Sequence, residues 1–302
     1  MLVNRDEIMA SNIPEIRLSV ALVTRNRPES LKRCLESWRS QTVSPFEIVV
    51  SDDSDPTYAS QIRELAQQFG CLYTPGPRRG LYANRNHASL ICSGTHILSA
   101  DDDHTHPQDY VEKILEVVAS DAKRVWIFTE RNPSYPDTSL ICPPELHRSG
   151  GGCMPKDPSN CAAIADGSSV YPRQIFDQGL RYDETYPFGN MFYLWGQVLV
   201  KEGWRISFSD ATFVWHNVAN GGREFDQNWL KHQIECNMYV LFVHAWWVNP
   251  SIINTVWAFI YLLKQMLFKV SVIGYEVKVR LGINDGLRLL IQAWSSRHQY
   301  YA

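Results

Sequence analysis

Three consecutive carboxylates, Asp101, Asp102 and Asp103, are the residues of this 302-residue chain best suited to chemistry. Adjacent acids repel one another, so such a run usually needs a cation or strong hydrogen bonds to be stable. Alternate residues of an extended segment point the same way, so Asp101 and Asp103 can face one ion. Carboxylate oxygens suit Mg²⁺ or Mn²⁺, which keep coordination positions open for a diphosphate. We therefore predict a metal site here; the alternative is a solvated acidic turn.

Two further segments carry polar residues that could bind a ligand at the same site. Asp52 and Asp53 come directly after an apolar stretch, where a carboxylate can accept a hydrogen bond from a base or a ribose, although Asp-Asp-Ser-Asp is also common in turns. Arg85 follows a Gly/Pro turn, where it could neutralise a diphosphate with help from Arg78 or Arg79. The alternative for Arg85 is an ordinary surface position on an amphipathic helix.

The elements that must position these groups alternate between apolar strands and amphipathic helices. Strands are predicted at 16–24, 46–51, 71–74, 96–99 and 124–129, and helices at 29–40, 58–69, 82–92 and 107–119. Such alternation predicts an α/β fold with a mostly parallel sheet. Ligands of these sheets bind outside the carboxyl ends of the strands, where both acidic clusters lie.

The second half of the chain is less regular. Residues 132–166 are rich in Pro, Gly and Ser and predict a long loop, either a lid or acceptor-binding loop or a plain surface excursion. A helix is predicted at 192–202, two strands at 205–208 and 212–215, and helices after residue 228.

Composition excludes several classes of protein. A formal net charge of −3 and a pI near 6.3 give no indication of nucleic-acid binding. The seven cysteines form no CxxC pair, which favours free thiols in a reducing cytosol over a disulfide or zinc framework. Residues 1–12 do not resemble a signal peptide, and no uncharged apolar run reaches the roughly 18 residues of a membrane span. We expect a cytoplasmic protein, with the inner face of the membrane as an alternative position.

Four segments, taken in order, resemble glycosyltransferase family 2 and its GT-A fold. They are 18–27 (LSVALVTRNR), 46–54 (FEIVVSDDS), 80–86 (GLYANRN) and 98–103 (LSADDD), the last resembling the DxD strand end of that family. Gly167 with 171–173, and then 179–184 (GLRYDE), resemble its acceptor-side segment. The resemblance covers about two thirds of the chain and leaves out the C-terminal helices.

The resemblance implies transfer of a sugar from a nucleoside-diphosphate donor, dependent on Mn²⁺ or Mg²⁺ and with inversion. Donor-binding roles would fall to Thr24, Arg27, Asp52, Asp53, Arg85, Asp101 and Asp102. Metal ligands would be Asp101, Asp103 and His216, since some GT-A enzymes supply a histidine at the last position. The donor would be a UDP-, GDP- or dTDP-sugar, and the acceptor a glycan, a lipid-linked molecule or a small molecule.

The expected catalytic base is missing. The family usually has a Glu-Asp pair where this chain has Met191 and Phe192, and the amide of the preceding Asn190 cannot act as a base. The base candidates are Asp183, Glu184 and Asp210. The alternatives are a reaction without a base at this position, or a weak or inactive protein that only binds sugar nucleotides. A nucleotidyltransferase is disfavoured because residues 24–28 are not a Gly-rich phosphate loop.

We predict a GT-A catalytic domain at 1–225 and a helical extension at 226–302. The extension carries a broad apolar stripe at 252–270, interrupted by Lys264 and Lys269. This stripe could lie on a membrane surface, form a homodimer or pack internally.

Overall fold

A computed structural model describes residues 15–134, 145–147, 152–217, 227–269 and 278–300. The N-terminal segment 1–12, the glycines at 150–151 and the proposed domain boundary at 225–226 lie outside these ranges. The strands are β1 (Leu18–Thr24), β2 (Glu47–Asp52), β3 (Leu72–Pro75), β4 (His96–Asp101), β5 (His104–Thr105), β6 (Val125–Arg131), β7 (Glu145–Leu146), β8 (Gly152–Cys153), β9 (Ser169–Pro172) and β10 (Ile206–His216). The helices are α1 (Pro28–Arg39), α2 (Pro56–Gln68), α3 (Leu81–Ile91), α4 (Tyr110–Ser120), α5 (Gln174–Asp177), α6 (Met191–Lys201), α7 (Gln227–Val243), α8 (Ile252–Leu267), α9 (Ile283–Ser295) and α10 (Arg297–Tyr300).

One eight-stranded sheet has the order β3-β2-β1-β4-β9-β6-β10-β5, and β7 pairs with β8 separately. β1 pairs in parallel with β2 and β4, β2 with β3, and β6 with β10. β9 lies antiparallel between β4 and β6, so these two strands still run in the same direction. The predicted α/β fold with a mostly parallel sheet is confirmed, and six strands bring their carboxyl ends to one edge.

Both faces of the sheet are covered by helices. All seven residues of β1 are buried. Its alternate side chains enter two separate clusters: Leu18, Val20 and Leu22 pack with α1 and α4, while Ala21 and Val23 pack with α3. A strand buried on both faces has an almost continuous apolar sequence, which explains why β1 is so readily detected.

The two strands predicted at 205–208 and 212–215 form the single strand β10, which corrects that prediction. The pairing of β10 with β6 shifts between Ser209 and Phe213, so the residues between them form a bulge. An inserted bulge breaks the alternation of a strand without ending it, which is why one strand looked like two in the sequence.

The C-terminal helices share the larger core cluster with the sheet. Leu230 and Phe242 of α7 and Leu289 of α9 belong to the same cluster as Ile97 of β4 and Val125 of β6. A π-helical turn, His244–Val248, continues α7. Among the described residues, no helix has both the length and the apolar character required to cross a membrane.

Candidate active site

The acidic clusters meet at the carboxyl edge of the sheet. In the strand register Thr24 lies beside Asp52, and Val23 lies beside Asp101. Asp53 follows at once, and its backbone N–H donates to the Thr24 carbonyl at 3.0 Å. The ends of β1, β2 and β4 therefore form one continuous acidic edge, as expected for parallel strands.

Asp102 lies inside the protein, held by Thr24 and Arg27. The Thr24 hydroxyl donates to Asp102 Oδ2 at 2.7 Å, and the Arg27 guanidinium lies 2.5 Å from Asp102 Oδ1 and 2.8 Å from Asp103 Oδ2. Burial raises the pKa of Asp102 to about 7 although Arg27 opposes the change. Thr24 and Arg27, which the sequence assigned to the nucleoside, are thus directed at the acidic run.

Asp103, His104 and His216 form a compact group. One ligand atom from each lies within 4.8 Å of the other two. The short strand β5 pairs antiparallel with β10, which places His104 opposite His216, and the Asn217 N–H donates to the Asp103 carbonyl at 2.8 Å. His216 Nε2 lies 3.7 Å from Asp103 Oδ2. Asp103 and His216 are predicted metal ligands from the sequence, and His104 is not among those predicted.

The donor set of this group fits a divalent transition metal. His104 is fully buried, its Nδ1 faces the Gly167 carbonyl at 3.2 Å, and its Nε2 has no hydrogen-bond partner among the residues described here. An unpartnered buried imidazole nitrogen is costly and is well placed to become a ligand. Two imidazoles and one carboxylate suit Mn²⁺ better than Mg²⁺, which prefers oxygen ligands.

Glu130 contacts the compact group through His216. Its Oε2 lies 3.3 Å from His216 Nδ1, on the opposite side of the ring from Asp103. Burial alone lowers the pKa of His216, but hydrogen bonds to Asp103 and Glu130 raise it to about 10. Burial likewise raises the pKa of Asp103, yet the hydrogen bond and charge of His216 hold it well below its usual range. His216 and the two carboxylates therefore attract one another across the compact group.

Asp101 belongs to a different set of contacts. Both of its oxygens lie 2.9 Å from Arg85 Nη2, and Arg85 Nε lies 3.0 Å from Asp166 Oδ1. The Arg85 side chain is only 1% exposed, so it is not presented to a solvent-borne diphosphate as the sequence suggested. Asp101 likewise pairs with Arg85 and is not part of the compact group. A buried guanidinium requires carboxylates around it, which explains why Asp101 pairs with Arg85.

Asp166 was not singled out in the sequence. Burial raises its pKa to about 7, in spite of Arg85. The adjacent Gly167 has φ +79°, and a Cβ there would lie 2.6 Å from both Asp101 Oδ2 and His104 Cε1. Residues 166–167 therefore pass so close to Asp101 and His104 that only glycine fits at position 167.

Asp52 and Asp53 accept hydrogen bonds from the backbone of the turns that follow β2 and β3. Asp52 Oδ1 accepts from the Ser54 N–H at 2.9 Å, and Asp53 Oδ1 accepts from the Arg78 N–H at 2.8 Å. Burial raises the pKa of Asp53. A Cβ at Gly76 would lie 2.3 Å from Asp53 Oδ1. The exposed side chain of Arg78 follows this turn at the rim of the site.

The three base candidates differ in their surroundings. Asp183 accepts hydrogen bonds from the Thr185 N–H, at 2.7 Å, and from the hydroxyls of Tyr239 and Tyr300, so it connects this segment to the C-terminal helices. Asp210 lies in the exposed bulge of β10, six residues before His216. Neither position resembles that of a base beside the carboxyl edge.

Glu184 lies at that edge. Its Oε1 accepts from Asn86 Nδ2 at 2.9 Å, and its Oε2 pairs with Arg79 at 2.8 Å while the side chain stays 34% exposed. The segment continues over the start of α3, where the Leu81 N–H donates to the Pro187 carbonyl at 2.6 Å. Met191 and Phe192 begin α6 and are buried.

Beyond this segment a cavity of about 840 Å³ opens between it and the C-terminal helices. Thr185, Tyr186 and Pro187 line one wall, and His232 and Leu287 line the opposite wall.

The family described as Glycosyl transferase family 2 matches residues 19–180, a little over half of the chain. Glycosyltransferase GlyA of Streptococcus pneumoniae serotype 4 is 30% identical over 104 residues, which is 34% of this chain and 15% of that protein.

Two solved structures show the same fold. S. aureus TarS 1–349 in complex with UDP has a TM-score of 0.56 and 15% identity, covering 84% of this chain and 72% of that one. GalNAc-T7 with UDP, GalNAc and Mn²⁺ has a TM-score of 0.60 and 17% identity, covering 80% of this chain and 49% of that one. Both likenesses support the GT-A fold predicted from sequence. With a family match over more than half its length, the chain belongs to glycosyl transferase family 2.

Proposed function

We propose that the protein is a metal-dependent glycosyltransferase that moves a sugar, with inversion, from a nucleoside-diphosphate sugar to an acceptor hydroxyl. The compact group of Asp103, His104 and His216 at the carboxyl edge of the sheet carries this proposal. Its location beside Asp52 and Asp53 supports a nucleotide and a metal in one cleft. The similar structures bind UDP or UDP with Mn²⁺, which supports the same ligand class here.

Asp103, His104 and His216 would hold Mn²⁺, or Mg²⁺ with lower preference. The ion would supply positive charge to the diphosphate that leaves the sugar. Arg27, which is 20% exposed, lies against Asp102 and Asp103 and adds a second fixed positive charge at the same place. Arg78 at the rim is the arginine that we assign to the diphosphate, in place of the buried Arg85.

The nucleoside would lie against the turn that Asp53 organises, with Asp52 and Thr24 behind it. A UDP-, GDP- or dTDP-sugar would fit this arrangement equally well. The cysteine spacing, which contains no CxxC pair, supports a reducing compartment, the cytoplasm.

Glu184 is the base that we favour among the three candidates. It is partly exposed, lies at the carboxyl edge, and is held in place by Asn86 and Arg79. From there it could accept the proton of an acceptor hydroxyl as the bond to the sugar forms. The acceptor, whether glycan, lipid-linked or small molecule, would approach through the cavity next to this segment.

Asp103→Ala tests the proposal. Release of nucleoside diphosphate from a panel of nucleotide sugars, with and without Mn²⁺, identifies the donor in the wild-type protein. We expect Asp103→Ala to lose this activity and to bind Mn²⁺ far more weakly. Asp109→Ala is the matched control, because Asp109 is an exposed acid six residues further on that caps no backbone N–H of α4. Undiminished turnover in Asp103→Ala would contradict the metal assignment.

A second candidate is a protein that binds sugar nucleotides without turning them over. The apolar pair Met191 and Phe192, at the position where the family has acids, favours it. Thermal shift with each donor and Mn²⁺ detects binding because ligands stabilise the folded state. Donor binding without transfer to any acceptor would support this alternative.

A further inference from the structure

The helix α8 leaves most of its surface apolar and exposed. Of its residues only Ala258 and Leu262 are buried. Its exposed apolar side chains, together with Phe268 just after it, are between 39 and 86% accessible. They are Ile252, Ile253, Val256, Trp257, Phe259, Ile260, Leu263 and Leu267. Exposed contiguous apolar surface of this kind marks a contact with a protein or a membrane.

The neighbouring helix α9 extends this surface. α9 packs closely on α8 at Gly286, where a Cβ would lie 3.1 Å from Met266 Sδ. On its outer side Ile283, Leu287, Ile291 and Trp294 are each more than half exposed. We call the exposed apolar residues of α8 and α9, with Phe268, the apolar face.

The charges around the apolar face are mainly positive, because residues 236–282 contain four Lys or Arg residues and one acid, Glu276. Residues 236–275 contain no Asp or Glu, and their two charged side chains, Lys264 and Lys269, are exposed. Lys278 and Arg280 are also exposed just before α9. Asp285 on α9 is already paired with Lys231, at 2.8 Å. The face therefore combines apolar area with an excess of positive charge.

These charges decide between the two occupants that could cover the face. In a symmetric contact with a second copy the same patch meets itself, which would bring two surfaces of net positive charge together. Anionic lipid headgroups provide the missing negative charge, and lysine stems can extend from the apolar layer to reach them.

The length of α8 agrees with a position along the surface. Its 16 residues span about 24 Å, less than the roughly 30 Å of a hydrocarbon core. We propose that the apolar face docks the protein on the surface of an anionic lipid bilayer, with α8 lying in the plane of the interface. This goes beyond the transfer reaction and holds whether or not the chain turns over a donor.

The test uses the full chain and large unilamellar vesicles of phosphatidylcholine, with and without phosphatidylglycerol, separated by sedimentation. The wild-type protein should co-sediment with the mixed vesicles and do so less as salt is raised. Ile260→Asp, at the centre of the face, should lower binding at least tenfold. Leu90→Asp is the matched control, since Leu90 and Ile260 are both 49% exposed and Leu90 lies on α3.

A double variant, Lys264→Gln with Lys269→Gln, should lower binding to mixed vesicles and leave the weak binding to phosphatidylcholine unchanged. Circular dichroism and the melting temperature verify that each variant folds. The proposal is wrong if the wild-type protein stays in the supernatant or if Ile260→Asp and Leu90→Asp bind alike. A dimer detected by light scattering that Ile260→Asp dissociates, without vesicle binding, would assign the face to a second copy.

Discussion

At the scale of single residues, the orientation of His216 depends on Glu130. The two nitrogens of an imidazole face opposite directions, so a carboxylate on Nδ1 fixes Nε2 towards Asp103. Glu130 is 1% exposed and also accepts from the Ser168 hydroxyl at 3.4 Å, so it is itself held in place. A carboxylate behind a histidine ligand sets the tautomer and raises the basicity of the ring.

Glu130→Gln should therefore weaken Mn²⁺ binding by about tenfold or more, within the 10–100-fold range typical of such partners. The amide keeps the size of the side chain but removes its charge. The dissociation constant can be measured from the electron paramagnetic resonance signal of free Mn²⁺. Glu64→Gln on the exposed side of α2 is the control. An unchanged constant in Glu130→Gln would show that Glu130 has no part in orienting His216.

Some residues of the site follow a local sequence pattern, and others do not. Asp103 and Asp53 could be found because an apolar strand followed by acids is a local pattern. The partners of Arg85 could not, because Asp166 arrives from a distant segment that no periodicity links to α3. His104 and Glu130 were missed for the same reason: their roles arise from pairing between β5, β6 and β10.

At the scale of elements, we propose that the segment between Asp183 and α6 supplies the acid that the first turn of α6 lacks. Met191 and Phe192 lie in the core, so the first turn of α6 contributes packing and no carboxylate. Asn190, just before α6, donates to Asn237 of α7 at 2.7 Å. Glu184 is the acid of this region that combines exposure with a fixed position at the carboxyl edge.

Glu184→Gln should lower the rate of transfer by about 10²–10⁴-fold, the usual contribution of a general base. Donor affinity should change little, because no residue that we assign to the nucleotide contacts Glu184 in the described structure. Asp210→Asn should transfer at the wild-type rate, since Asp210 lies in the exposed bulge. Single-turnover rates with saturating donor compare the two. A greater loss in Asp210→Asn would overturn our choice of base.

At the scale of the whole molecule, the helical extension and the sheet are joined by one core. The same cluster contains Ile97 and Val125 from the sheet and Phe242 and Ala293 from the extension. The hydroxyls of Tyr239 and Tyr300 donate to Asp183, which adds a polar connection between the two regions. The division at residue 225 that the sequence suggested stays a prediction, and the described residues on either side of it share one core.

Leu289→Ala tests whether the two regions unfold together. Leu289 of α9 is 1% exposed, so Leu289→Ala should lower the free energy of unfolding by about 2–5 kcal/mol. Leu287 on the same helix is 54% exposed, so Leu287→Ala should lower it by less than about 0.5 kcal/mol. If the core is continuous, Leu289→Ala lowers the urea midpoint of a single transition, and far-UV circular dichroism and loss of Mn²⁺ binding report the same midpoint. An extension that unfolds separately would instead give an early partial transition that leaves Mn²⁺ binding intact. Since α9, β4 and β6 belong to one core cluster, we expect the single transition, and we expect loss of the extension to remove the proposed metal site with it.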